Sequence, residues 1–326
     1  MQWTKGVEWL TLGLFVICYA LWLGLSAFAG VSSSSHWWWL AVAILAALVT
    51  FHASLSHEAL HGHPTRRAWI NEALVFAPVG LFIPYRRFRS LHLRHHANER
   101  LTDPYDDPES FYLAWRDWHE LPCVMQLLLR FNNTLAGRLT IGPALSLAAF
   151  YVSDFRQARA GDRKVVTAWL FHAAGLVPVF AWLTASGFPL WLYAAAVAYP
   201  AFSLLMLRTF AEHQAHEDPT KQTAIIEASP VFALLFLNNN LHSAHHGNPT
   251  LAWYRLPALC REKYAGNSYR FSGYGELFRC FAFRAKEPVP HPYLRRSEPA
   301  RPVLRAPDQP EQDLRTPFPG PEVAQQ

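Results

Sequence analysis

Three histidine clusters dominate the chemistry that this sequence could perform. Their patterns are His-x-x-x-His, His-x-x-His-His and His-x-x-His-His, and their members are His57, His61, His92, His95, His96, His242, His245 and His246. On a helix, positions i, i+3 and i+4 lie on one face, so each cluster directs its imidazoles the same way. Eight imidazoles exceed the four ligands of one zinc ion but suit two metals, and imidazole favours zinc, copper, iron and nickel.

Cysteine adds no metal-binding pattern. The four cysteines lack C-x-x-C spacing, which excludes the zinc-finger, haem-attachment and iron–sulfur patterns. We expect four free thiols in a reducing compartment.

The formal net charge of +5 indicates membrane topology and anionic headgroups rather than nucleic acid, for which the sequence has no motif.

Long apolar stretches must position the histidines. The 326 residues are 51% hydrophobic and only 16% charged, which departs from an ordinary soluble domain. The apolar runs predict membrane-spanning helices at about residues 9–30, 37–55, 165–184 and 190–207. The first run is too long for a signal peptide, so we expect it to be retained. The predicted fold class is therefore an all-α integral membrane protein whose four transmembrane helices form two hairpins.

Charge distribution predicts the orientation. Both hairpin turns, 32–35 and 186–189, are uncharged, whereas Arg and Lys cluster around the histidines. By the positive-inside rule, the histidine clusters and both termini face the cytoplasm. Every cluster then lies on the same side of the membrane, just beyond the end of a span, as a shared metal centre requires.

The remaining segments have weaker signals. Residues 73–83, broken by proline and glycine, are too short to span and are expected to be re-entrant or interfacial. Residues 111–138 are expected to form an amphipathic surface helix, and 140–152 to lie on or dip into the membrane. The membrane domain is assigned to residues 1–285. The tail, 286–326, holds ten of the 24 prolines and is expected to be disordered.

Other polar residues are candidates for the same site. His213 follows the fourth span and could be a ninth ligand, although His216 could replace it. Side chains that could hydrogen-bond the ligands, or merely cap helices and face solvent, are Asn239, Asn240, Asp106 and Asp107.

The first cluster permits a different interpretation. His57-Glu58-x-x-His61 also matches the motif of zinc metalloproteases, with Glu58 as general base. A membrane metalloprotease is therefore an alternative, but it leaves the two His-x-x-His-His clusters unexplained.

The three clusters on two hairpins resemble the integral-membrane fatty acid desaturase superfamily over roughly Phe51–Pro257. The run Asn-Asn-Leu-His-x-x-His-His from Asn239, followed by Pro249 and by Trp-Tyr-Arg-Leu-Pro from Trp253, is similar to that family and to its carotenoid-ketolase relatives. The sequence Asp-Asp-Pro from Asp106 also resembles those relatives. The resemblance departs at Thr209, one helical turn before His213, where acyl desaturases place an Asn.

The resemblance implies a cytoplasmic helical cap in which the eight clustered histidines and His213 bind two iron ions, with molecular oxygen as co-substrate. It implies an oxidoreductase that introduces a double bond into a fatty acyl chain or lipid from the bilayer. A hydroxylase or ketolase of a lipid or carotenoid is the alternative. The substrate's chain length, headgroup and double-bond position are not indicated.

The two electrons for each turnover must come from a partner, because no haem-binding or flavin-binding segment is fused to the chain. A separate ferredoxin or cytochrome is expected. Basic residues that could dock such an acidic donor or an acyl carrier, or simply anchor the topology, are Arg66, Arg67, Arg86, Arg87, Arg89 and Arg94.

Overall fold

The computed structural model describes residues 7–98, 100–266 and 269–294. These residues are mostly helical, with one two-stranded parallel sheet of β1 (Ile225–Ile226) and β2 (Arg270–Phe271). Short 3-10 turns lie at Pro219–Lys221 and Trp253–Arg255. The α-helices are α1 (Trp9–Val31), α2 (Trp38–Leu60), α3 (Ala68–Leu74), α4 (Tyr85–His96), α5 (Trp115–Glu120), α6 (Cys123–Asn132), α7 (Leu135–Thr140), α8 (Gly142–Arg159), α9 (Arg163–Ala185), α10 (Leu190–Tyr193), α11 (Tyr199–Glu212), α12 (Pro230–Leu235), α13 (His242–Gly247), α14 (Leu256–Lys263) and α15 (Tyr274–Phe281).

Four helical stretches are long and apolar enough to cross a membrane: α1, α2, α9 and the continuous stretch Leu190–Glu212. The last joins α10 and α11 through a π-helical turn at Ala194–Ala198. The predicted all-α membrane fold with four spans is confirmed. The fourth span runs beyond its predicted end at residue 207, because Arg208 is buried and pairs with Glu212 at 2.7 Å inside the helix rather than marking the membrane surface.

The two hairpins pack tightly at their turns. A Cβ added to Gly30, near the end of α1, would overlap the carbonyl oxygen of Ser186 in the other hairpin. Glycine is therefore required for this close approach. Further along the bundle, the indole of Trp22 donates to the hydroxyl of Tyr193 at 2.7 Å. Both turns thus lie together at one end, and the histidines lie towards the other.

Residues 75–84 enter the bundle without forming a helix. Backbone carbonyls that have no helical partner accept hydrogen bonds from the spans: Tyr193 donates to Val79 at 2.8 Å and His172 to Leu81 at 2.7 Å. Such pairing is what permits irregular backbone among membrane helices. His172 is accordingly a packed, hydrogen-bonded histidine of the core.

The segments between the second and third spans differ from the predicted elements. The prediction of one helix over 111–138 is wrong, because the chain forms three helices there, α5, α6 and α7. Pro122 ends one helix and begins the next, and Thr134 caps α7 by accepting from the backbone N–H of Gly137 at 3.0 Å. The helix that covers the predicted apolar segment 140–152 is longer than that segment, since α8 continues to Arg159.

The predicted tail begins at residue 286, and its first residues make backbone hydrogen bonds to the folded chain. Residues 286–294 are described and fold onto the helices, with Lys286, Val289 and His291 buried. The backbone of Leu113 donates to Val289 at 3.0 Å and accepts from His291 at 2.9 Å. Proline richness concealed these backbone hydrogen bonds. Most of the expected disordered tail, 295–326, lies outside the described residues.

A buried ion pair fixes α4 against two other helices. The guanidinium of Arg87 donates to both carboxylate oxygens of Asp154 in α8, the shortest contact being 2.8 Å. The indole of Trp169 in α9 donates to the same carboxylate at 2.9 Å. Because α4 carries the second histidine cluster, this contact sets where that cluster lies.

We expect Asp154→Ala to lower the free energy of unfolding by about 3–5 kcal/mol, because it leaves the buried guanidinium of Arg87 without a counter-charge. Thermal unfolding in detergent measures the change. The matched control is Glu120→Ala, which breaks the exposed Arg116–Glu120 pair and should leave the free energy of unfolding nearly unchanged. Equal effects of the two variants would contradict the assignment.

Candidate metal centre

Four segments deliver the clustered histidines to one end of the bundle. The helix of the second span continues without interruption into the first cluster, so α2 carries His57 and ends next to His61. Helix α4 carries the second cluster and α13 the third. His213 directly follows α11, where the chain leaves the helix with an extended backbone.

Nine imidazoles form two groups, and the ligand atoms within each group lie within 4.8 Å of one another. The five-histidine group consists of His57, His61, His92, His96 and His245. The four-histidine group consists of His95, His213, His242 and His246. The candidate ninth ligand His213 therefore joins the second group.

Helices α4 and α13 each supply histidines to both groups. In α4, His92 and His96 enter one group and His95 the other. In α13 the same spacing serves the opposite groups: His242 and His246 enter the four-histidine group, and His245 enters the five-histidine group. On a helix, residues i and i+4 differ by about 40° and residues i and i+3 by about 60° in the opposite sense. Each His-x-x-His-His pattern therefore serves two neighbouring sites.

The spacing within the groups suits metal ligation. The Nε2 atoms of His57 and His92 are 3.0 Å apart, and those of His213 and His242 are 2.9 Å apart. Nitrogen ligands bound to one metal at about 2.1 Å lie roughly 3.0–3.4 Å from each other. Among the described residues, the buried Nε2 of His61 has no hydrogen-bond partner. The residues thus fit two metal ions, one per group.

Electrostatics keep most of these rings neutral. Burial, reinforced by the neighbouring imidazoles, lowers the pKa of His213, His245 and His246 well below the usual range. His95 differs: burial lowers its pKa, but the hydrogen bond to Asp107 and nearby carboxylates outweigh this and raise the pKa overall. A neutral imidazole offers the nitrogen lone pair that a metal requires.

Carboxylates behind the rings select which nitrogen faces the site. Asp107 lies 2.8 Å from Nδ1 of His95, and Glu109 lies 3.0 Å from Nδ1 of His92. A carboxylate accepts, so Nδ1 carries the proton and Nε2 is free to bind a metal. Burial tends to raise the pKa of Glu109, but His92 and other imidazoles lower it well below its usual range. Glu212 lies behind His242, 3.4 Å from Nδ1.

Asn239 lies between the two groups. Its side-chain oxygen is 3.0 Å from Nδ1 of His242, and its side-chain nitrogen is 3.3 Å from Nε2 of His57. The preceding residues Leu237 and Asn238 have φ angles of 48° and 56°, an unusual backbone that turns the chain into the site. The neighbouring Asn240 instead donates to the carbonyl of Ile226 in β1 at 2.7 Å.

Two residues that the sequence suggested for the metal site, Asp106 and His216, do not contact the histidine groups. Asp106 is exposed and pairs with Arg100 at 3.3 Å. His216 lies outside both groups, and its Nδ1 accepts from the backbone of Asp218 at 2.9 Å. Glu109 and Glu212 were missed by sequence reasoning. Glu109 could have been found in the acidic loop that supplied Asp107, whereas Glu212 has no signal beyond its position before His213.

Glu58 does not face the metal-binding atoms. Its carboxylate lies 3.7 Å from Nδ1 of His57, on the side of the ring away from Nε2. It also accepts from the backbone of Trp253 at 3.3 Å. The general base of a zinc protease must face the metal with its water, so this geometry does not suit that role.

Comparison with known families agrees with this geometry. Residues 35–274 match the model of the family described as fatty acid desaturase. The chain belongs to the fatty acid desaturase family. The match contains all nine grouped histidines, and membership implies an oxidoreductase on a membrane scaffold. No curated protein matches the chain.

We expect Asp107→Ala to weaken metal binding about 10–100-fold, because His95 loses the acceptor that fixes its tautomer. Metal retained after dialysis against graded chelator, measured by mass spectrometry, gives the affinity. Asp106→Ala is the matched control: it removes the adjacent carboxylate, which is exposed and bonded to Arg100, and should leave affinity unchanged. Equal losses in both variants would contradict the assigned role.

Proposed function

We propose that this protein is a di-iron, oxygen-dependent membrane desaturase that introduces a double bond into a fatty acyl chain or lipid. The observation that carries the proposal is the convergence of nine imidazoles into groups of five and four at one end of the bundle. Family membership supports the same reaction class. An all-imidazole donor set is compatible with iron.

Two iron ions held by the nine histidines, with molecular oxygen, would supply an oxidant able to remove hydrogen from an unactivated C–H bond, which no side chain can do. The chain's own groups position that centre. Asp107 and Glu109 hold the Nδ1 protons of His95 and His92. Burial of the rings excludes water, which protects a reactive centre from side reactions.

We place the substrate in the bilayer and the metal groups on its cytoplasmic side. The exposed apolar side chains of the spans, such as Val177 and Trp191, support contact with lipid. The uncharged hairpin turns support the orientation.

A separate electron donor of the ferredoxin or cytochrome type would dock on the cap. Arg67 and Arg94 are exposed there, whereas Arg86 and Arg87 are bound by Glu72 and Asp154. Arg86 and Arg87 therefore have a structural role, and we assign the docking of the donor to the exposed Arg67 and Arg94.

Hydroxylation or ketolation by the same centre is the second candidate. The observation that favours it is Thr209, whose hydroxyl bonds its own helix at Met206, 3.5 Å away, at the position where acyl desaturases place an Asn. Metalloprotease activity is disfavoured by the placement of Glu58 behind His57.

Purified protein should contain two iron ions per chain, one for each histidine group. Metal analysis of protein produced with added iron tests this. His61→Ala should impair the five-histidine group and His242→Ala the other, so each variant should lose about half of the iron. A single zinc ion per chain would contradict the di-iron proposal and restore the protease.

Expression in a host with a suitable lipid and electron donor should yield a new lipid species lighter by two hydrogen atoms. Mass spectrometry of the total lipid extract detects it and identifies the substrate. The inactive control is His95→Ala, which removes one ligand of the four-histidine group. A species heavier by one oxygen atom, absent in the control, would replace desaturation with hydroxylation.

A further inference from the structure

Residues 286–291 cross the cap beyond the end of the family match at residue 274. We call them the C-terminal strap. Its backbone is anchored at both ends: the N–H of Lys286 donates to Asn133 at 3.0 Å, and the N–H of His291 donates to Leu113 at 2.9 Å. The indole of Trp115 also donates to the carbonyl of His291 at 2.9 Å.

The side chain of Lys286 reaches a metal-group residue. The side chain is 3% exposed, and its ammonium lies 3.2 Å from Glu287 and donates to the backbone carbonyl of His213. It also lies 5.3 Å from the ring centre of Phe111 and 5.8 Å from that of Phe210. A buried cation is costly unless paired, so these contacts must hold it in one place.

His213 needs such an anchor because it is outside a helix. The backbone around it pairs with another segment through Glu212 and Gln214, at 2.9 and 3.0 Å, and the carbonyl of His213 itself points to Lys286 instead. Its imidazole must nevertheless lie 3.1 Å from that of His95. The ammonium therefore sets the backbone from which this ring projects.

The other end of the strap reaches the same group through a relay. The imidazole of His291 lies 3.2 Å from the hydroxyl of Thr102. The backbone N–H of Thr102 donates to one oxygen of Asp107 at 2.9 Å, and the other oxygen lies 2.8 Å from Nδ1 of His95. Both ends thus bear on the four-histidine group, through His213 and through His95.

We propose that the C-terminal strap holds the four-histidine group in its metal-binding geometry, with Lys286 as the positioning residue of His213. The inference rests on the proposed metal centre. Among the described residues, the strap contacts the four-histidine group directly through His213. It reaches the five-histidine group only by a longer relay, in which the N–H of Glu109 donates to Asp107 at 2.9 Å and Glu109 lies 3.0 Å from Nδ1 of His92. Loss of the strap contact should therefore affect one metal ion and spare the other.

The test is Lys286→Met in the full-length chain, which removes the ammonium and keeps an apolar side chain of similar length. Iron per chain is measured after dialysis against graded chelator. The expected result is a loss of affinity of about 10-fold or more for one of the two ions. Lys263→Met, at an exposed lysine, is the matched control and should retain both ions.

Two further variants separate positioning from general damage. Lys286→Arg, which keeps a cation with N–H donors at this position, should retain the affinity for the iron ion that Lys286→Met weakens. Lys286→Met added to His242→Ala should cost no further iron, because the four-histidine group is already impaired. If Lys286→Met does not fold, His291→Ala tests the relay to His95 and should weaken the same ion.

Retention of both ions at unchanged affinity in Lys286→Met and His291→Ala would overturn the proposal. So would equal loss of both ions together with a lower unfolding temperature of the metal-free protein. If the unaltered protein binds no iron, the proposed function fails instead, which is a distinguishable outcome.

Discussion

The structure depends on packing nine imidazoles, six buried and three partly buried, so closely that Nε2 atoms approach each other to about 3 Å, as for His57 and His92 at 3.0 Å. Charged rings at that distance would repel strongly in a medium of low polarity. Burial and mutual proximity therefore keep most of them neutral, and neutral lone pairs then converge on two points. Such unpaired acceptors are unfavourable by themselves, so the surrounding protein must hold them in place for a ligand.

The surroundings do this with elements of different stiffness. The first cluster lies at the end of a transmembrane helix, which needs little further support. Helix α4 is fixed from behind by the buried Arg87–Asp154 pair. The third cluster lies on the short helix α13, and the chain around it is held by Asn240, which donates to Ile226 in β1, and by Ser243, whose hydroxyl donates to the carbonyl of Thr223.

Much of this could be predicted from the sequence because its signals are local. Apolar runs of sufficient length indicated the four spans, and helical spacing indicated that the clusters face one site. The separate roles of Asp106 and Asp107 could not be predicted, since adjacent carboxylates differ only in which partner the fold presents. The fourth span was predicted to end too early, at residue 207, because the pairing of Arg208 with Glu212 matters only once both are buried. Proline content concealed the folded strap.

The crosswise sharing of α4 and α13 explains why the strap acts where it does. A shift of either helix moves ligands of both groups together, so neither group can be adjusted alone through α4 or α13. His213 can be adjusted separately, because it belongs to the four-histidine group alone and follows α11 in an extended backbone, whereas His57 and His61 both belong to the other group. A contact to its carbonyl can therefore tune the four-histidine group selectively. Lys286 makes that contact from a segment that the histidine pattern does not constrain.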